Sequence, residues 1–149
     1  MTTGSQTDSI AAARARNEEV WHRSAHLLYA GDLPGFLDCW HDDARYEGAY
    51  PVAGQPVVVE GREQLAAMFG GVITATTRIE VSDVLIHQTD DPDVVFVEER
   101  MVADFAGGGR YENRFAIRVR FRDGRIAEML DYYGQEAQTE LITRLGAGR

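Results

Sequence analysis

A chain of 149 residues with 15 basic and 24 acidic side chains carries a formal charge of −9, a balance that repels phosphate backbones and argues against nucleic acid or an anionic membrane as partner. With 44% hydrophobic and 26% charged residues it has a globular composition, read as one domain over residues 1–149, and no apolar run approaches the roughly 18 residues that span a bilayer. A single cysteine, Cys39, excludes an internal disulfide or a cysteine-based zinc cage.

In chain order, residues 1–8 lack the basic and apolar regions of a secretory signal, so they are expected as a disordered tail and the protein as cytoplasmic. A first helix is predicted from about Asp8 to Ala30, where Ile10, Ala13, Val20, Trp21, Ser24, Leu27 and Leu28 approximate one apolar stripe. His22 and His26 lie one turn apart on it without further ligands in view, so packing or exposure explains them. Pro34 suits the first turn of a short second helix that carries Phe36, Leu37 and Trp40 and stops at His41-Asp42-Asp43. His41 at that C-terminus is explained by the favourable dipole, and Cys39 is a packing residue rather than a nucleophile.

"ARYEGAY" reads as a strand, "VVVE" as a shorter one, and Gly61 to Phe69 as a third helix. From Thr77 the period becomes two. Four runs, "TRIEVSDVLIHQ", "DVVFVEERMVADF", "RYENRFAIRVRF" and "RIAEMLDYY", are separated by turn compositions, of which Asp123-Gly124 is a strong hairpin signal. The tail "GQEAQTELITRLG" forms a last short helix. Helices followed by a long antiparallel meander predict an α+β fold: a curved antiparallel sheet with helices closing one face.

On the final strand Ala127, Met129, Asp131 and Tyr133 share a face. If that face looks inward, loss of water raises the Asp131 pKa and makes it a proton acceptor near neutral pH; the alternative is an ion pair with an arginine. On "YENRF" the apolar register of Tyr111, Phe115, Ile117 and Val119 makes Asn113 the pocket candidate and sends Arg114, Arg118, Arg120 and Arg122 outward with Glu112. On the strand before it, Phe96, Glu98, Arg100 and Val102 alternate with Val95, Val97, Glu99 and Met101, so either face holds a carboxylate.

This order of elements, with "GDL" and "DDA" before the first strand, "VEGREQLAAMF", "TDDPDVVFVE", "YENRF" and "RDGRI", resembles the ketosteroid isomerase / nuclear transport factor 2 superfamily. Within it the chain is similar to the SnoaL-like polyketide cyclases and the phenazine-biosynthesis A/B proteins. The resemblance implies a cone-shaped half-barrel closed by three N-terminal helices, an apolar pocket between sheet and helices, a homodimer, and Asp131 in the place of the acid–base carboxylate. From limonene-type epoxide hydrolases it implies Arg100 turned inward to bridge Asp131, with Glu98 beside it and Tyr46 as a polar group. Their second acid is Val102 here and their asparagine is Gly48, which demotes hydrolysis to an alternative. Met68 and Val72 stand where phenazine-type proteins place a histidine and a serine, which implies a more apolar ligand.

The expected function is therefore a cofactor-free isomerisation, cyclisation or dehydration of an apolar, cyclic or polyketide-like metabolite. Asp131 moves the proton, Tyr46, Asn113 or Arg100 stabilises the oxyanion, and Trp40, Met68, Val72, Phe96 and Tyr133 shape the pocket. A non-catalytic binding or scaffolding module is the third reading.

Overall fold

A computed structural model describes residues 2–147. Helix α1 (Thr2–Tyr29) leads into the short α2 (Leu33–Asp38), strand β1 (Trp40–Gly48), strand β2 (Val58–Glu60) and helix α3 (Gly61–Ala75). Strands β3 (Thr76–Gln88), β4 (Val94–Phe105), β5 (Arg110–Arg122) and β6 (Arg125–Tyr133) follow, and α4 (Gln135–Ala147) closes the chain. The six strands form one open, curved sheet in the order β2-β1-β6-β5-β4-β3.

The meander β3 to β6 is antiparallel, as the turn signals require. Asp123 and Gly124 both take positive φ, 54° and 74°, the backbone of a tight hairpin whose twist matches its strands. β1, however, runs parallel to β6, so the sheet is mixed and not purely antiparallel. The reason is topological. β1 and β6 stand at opposite ends of the strand series in the chain, and no local sequence signal records the direction in which they pair.

Three boundaries also move. Helix α1 begins at Thr2 rather than near Asp8, carrying the expected tail as exposed helix over residues 4–9. Helix α2 ends at Asp38, so Trp40 and His41 belong to β1 and not to a helix. His41 Nδ1 lies 3.0 Å from the Asp43 carboxylate, a contact within β1 in place of the expected helix cap. Helix α3 runs through Gly70 and Gly71 to Ala75. A side chain at Gly70 would press on Leu33, so that glycine lets α2 pack close against α3, whereas one at Gly71 would meet Leu145 of α4 at ordinary contact.

The core lies between the inner face of the sheet and the helices: Trp21 and Val20 of α1, Phe36 of α2, Leu65 of α3, and Val95, Val97, Ile117, Val119, Ile126 and Met129 from the strands. Arg114, Arg118, Arg120 and Arg122 are exposed on the outer face. Asn17, fully buried, ties α1 to the β3–β4 turn through bonds to the Pro92 carbonyl and the Asp93 carboxylate, each 3.1 Å. At the start of α2 the Asp32 carboxylate accepts from the Gly35 N–H at 2.9 Å. Asp32→Ala removes that cap and is expected to cost about 1 kcal/mol, read as a lower midpoint in urea unfolding.

Candidate active site

Between the sheet and the helices lies a cavity of about 100 Å³. Helix α1 contributes Trp21, Ser24, Ala25, Leu28 and Tyr29, and α3 contributes Met68, Phe69 and Val72. The sheet adds Tyr46, Glu99, Met101, Tyr111, Phe115, Ile117, Met129 and Asp131, and α4 adds Gln138, Leu141 and Ile142. Except for the two acids, the wall is apolar or uncharged.

Asp131 reaches the cavity because β6 pairs on both sides, with β1 and β5, which fixes its alternation: Met129, Asp131 and Tyr133 point inward while Leu130 and Tyr132 point out. Its side chain is 6% exposed. Tyr46, on β1, donates its hydroxyl proton to Asp131 Oδ2 at 2.7 Å, and Oδ1 is buried without a partner. Burial pushes the carboxyl pKa up to about 7; the Tyr46 hydrogen bond opposes the rise and the charge of Glu99 adds to it. Burial and the Asp131 charge push the Tyr46 phenol well above its ordinary value, so it stays a donor throughout the neutral range.

Met68 and Val72 line the cavity as expected. Trp40 does not: it is completely buried behind the wall, with ring centroids 5.8 Å from Phe36 and 6.0 Å from Phe69, and it supports those two rings. Tyr133 shares the Asp131 face but turns its hydroxyl to the Tyr50 carbonyl. It fills the space that Gly48 leaves, where any Cβ would collide with the phenol. Asn113 is a structural tie rather than a ligand contact. Its amide donates to the Tyr111 hydroxyl at 3.0 Å and its oxygen accepts from the Gly134 N–H at 2.8 Å, locking β5 to the start of α4.

Strand β4 departs furthest from the arrangement that the resemblance implies. Val95, Val97, Glu99 and Met101 are buried, and Phe96, Glu98 and Arg100 lie on the opposite face. Arg100 pairs with Glu112, and Glu98 with His87 at 2.6 Å. The Arg100–Asp131 bridge on which the epoxide-hydrolase alternative relied is therefore not formed. In its place Glu99, 6% exposed, projects into the cavity and accepts from the Tyr29 hydroxyl at 3.0 Å. Burial raises its pKa, and the Tyr29 bond partly offsets the rise. The sequence carried a signal for this choice. The Glu99 register holds one charge among Val95, Val97, Met101, Ala103 and Phe105, whereas the other register holds three, at Glu98, Arg100 and Asp104.

Among the described residues no group of three or more His, Cys, Asp or Glu side chains is placed to hold a metal ion, and no helix is long and apolar enough to cross a membrane.

Comparison with known proteins agrees with this fold. A family model for the SnoaL-like domain matches residues 21–129. An uncharacterised PhzA/B-like protein of Pseudomonas aeruginosa is 30% identical over 130 residues, covering 84% of this chain and 89% of that protein. Among solved structures, a phenazine biosynthesis-related protein from Pseudomonas aeruginosa superposes with a TM-score of 0.76 at 19% identity, covering 92% of this chain and 91% of the other. The Mycobacterium tuberculosis protein Rv0760c, in complex with estradiol-17β-hemisuccinate, superposes with a TM-score of 0.71 at 23% identity, covering 82% of this chain and 96% of the other. At these identities the structures share the fold.

Proposed function

We infer a function on the ground that this chain belongs to the SnoaL-like domain family: it moves a proton on an apolar, cyclic or polyketide-like metabolite, ending in isomerisation, cyclisation or dehydration, with Asp131 as the acid–base group. One observation carries the reading. A carboxylate oxygen, Asp131 Oδ1, is buried without a partner against the cavity while its twin is held by Tyr46. An unpartnered buried oxygen is costly in a purely structural residue, and it is what a proton acceptor requires.

The chemistry follows from the geometry. The bond from Tyr46 fixes the plane of the carboxyl group and leaves Oδ1 to meet a C–H bond acidified by a neighbouring carbonyl. A pKa of about 7 leaves the carboxyl half ionised at neutral pH, so it takes a proton and returns it with little penalty either way. Such transfer by a positioned side chain contributes ~10²- to 10⁴-fold and needs no metal or nucleotide. Met68 and Val72, with Phe36 and Phe69, favour a ligand that is mostly hydrocarbon, and a neighbour of the same fold is seen with a steroid ester. Dimerisation through the outer sheet face, where Phe96, Leu85 and Tyr132 are exposed, belongs to the same proposal.

The test is conversion of 3-cyclohexenone to 2-cyclohexenone in deuterated water, with deuterium incorporation followed by NMR. Turnover is expected to rise with pH through the ionisation of Asp131 near 7; no acceleration above buffer at any pH counts against the reading. Tyr46→Phe removes the hydrogen bond that favours the ionised carboxyl. The rising limb is expected to move to higher pH, and an unmoved limb would show that Tyr46 does not tune Asp131.

A further inference from the structure

The cavity holds a second acid whose placement matches the first. Glu99 of β4 pairs with Phe115 of β5, Phe115 pairs with Tyr133 of β6, and Ile117 pairs with Asp131. The two acids therefore share the inner face, on strands separated by β5 and offset by two residues along it. At a strand spacing of about 4.8 Å their backbones lie roughly 10 Å apart across the sheet, a gap that two side chains and a small ring fill. Each is held by a phenol from a different element, Tyr29 of α1 for Glu99 and Tyr46 of β1 for Asp131, and both line the same cavity.

A packing role does not account for Glu99. A glutamine would accept the same bond from Tyr29 without the desolvation cost of a buried acid. The titratable groups facing Glu99 are Tyr29 from α1, Tyr46 from β1, Tyr111 from β5 and Asp131 from β6; α3 and α4 present Met68, Phe69, Val72, Gln138, Leu141 and Ile142. Among the described residues no Lys, Arg or His lines the cavity. Two uncompensated anions in this space repel each other, so the favoured state has one proton divided between two acids.

Resting on the proton-transfer reading above, we propose that Glu99 is a second proton carrier that touches the same ligand: as Asp131 takes a proton from carbon, Glu99 gives one to the ligand's oxygen, which selects uncharged carbonyl compounds and rejects carboxylates. The step balances without oxidant or reductant. The C–H bond breaks toward Asp131 Oδ1, its electron pair becomes the new C=C bond, and the carbonyl π pair takes the proton of the Glu99 carboxyl to give an enol. Asp131 then delivers its proton to the distal carbon as the enol O–H returns to Glu99. A carboxylate ligand would bring a further negative charge into a space that offers it no cation.

With 3-cyclohexenone as probe, the wild type is expected to give a bell-shaped pH dependence of kcat/KM whose two limbs belong to the coupled pair. Glu99→Gln keeps the Tyr29 bond and is expected to lower kcat at least about tenfold, to change KM less than about twofold, and to leave a single rising limb. Tyr29→Phe, which retains the acid but removes its partner, is expected to move the falling limb to higher pH, a shift that a purely structural residue would not cause. If Glu99→Gln keeps the wild-type kcat and the bell while Asp131→Asn is inactive, the role of Glu99 is overturned and that of Asp131 stands. If Asp131→Asn turns over normally, the underlying reading fails instead. A readout independent of turnover is difference infrared spectroscopy with phenol as a neutral mimic of the enol. A carboxylic-acid band absent from Glu99→Gln is expected to shift when phenol binds; an unmoved band, no binding of phenol, or benzoate binding as tightly as phenol at pH 8 overturns the proposal.

Discussion

Asp131→Asn is expected to lower turnover of 3-cyclohexenone by a factor on the order of 10²–10⁴ with the fold intact. The amide occupies the same volume and still accepts the Tyr46 hydroxyl, so the cavity keeps its shape, but an amide oxygen does not take a proton from carbon at neutral pH. The same variant separates catalysis from simple binding. In a binding module Asp131→Asn would leave phenol affinity unchanged and have no turnover to lose, whereas the enzyme keeps affinity and loses rate. Steady-state kinetics beside calorimetric titration with phenol decides it, and retention of full turnover by the variant removes Asp131 from the mechanism.

The second large effect is on stability, and its sign is the reverse of the usual surface carboxylate. The Asp131 carboxyl is pushed up to about 7 in the folded protein, against an ordinary value of 3.8. Between those values the native state binds more protons than the unfolded chain, so stability is fully present below about pH 4 and is lost as pH rises through 7. The difference corresponds to about 4 kcal/mol at its limit, and Glu99, also raised by burial, acts in the same direction. Urea unfolding of the wild type is expected to show a falling free energy from pH 5 to pH 8. Asp131→Asn flattens that slope and is expected to be more stable than the wild type at pH 8 by about 1–3 kcal/mol, the remainder being offset by the buried amide donor it introduces. Equal slopes for the two proteins would mean that Asp131 is not desolvated in solution. A site residue whose removal stabilises the protein is retained for chemistry rather than for packing.

Much of the fold was legible because its signals are local. Asp123-Gly124 marks a hairpin by backbone chemistry alone, and the runs on either side alternate so regularly that the bounds of β6 are those expected from the sequence. Asp131 was legible for the same reason, since a carboxylate in register with Met129 and Tyr133 is conspicuous in any strand. Met68 and Val72 followed from the resemblance, and the cavity wall includes both.

Other features were not legible, and the reason differs in each case. Trp40 reads as a helical residue in the company of Phe36 and Leu37, yet it opens β1, because its partner Ile126 lies far along the chain and supplies the ladder. Asn113 reads as a pocket residue because its neighbours on that face are apolar, yet its amide is consumed by Tyr111, on the same strand, and by Gly134, which only the β6–α4 junction brings near. Likeness to another branch of the superfamily turns Arg100 inward with Glu98 beside it, against the weaker apolar count of their own face, and Phe96 in the same register lies outside with them.

By itself the sequence determined the order of elements, the hairpin turns, the two-faced strands and an acid at position 131, because turn chemistry and side-chain alternation act between residues close in the chain. It did not determine that β1 lies parallel to β6, or that Tyr29 and Tyr46 each hold a buried carboxyl. Those depend on contacts between residues some 70 to 85 positions apart, where what decides is the area of apolar surface each packing removes from water, a sum over the whole molecule that no single stretch contains.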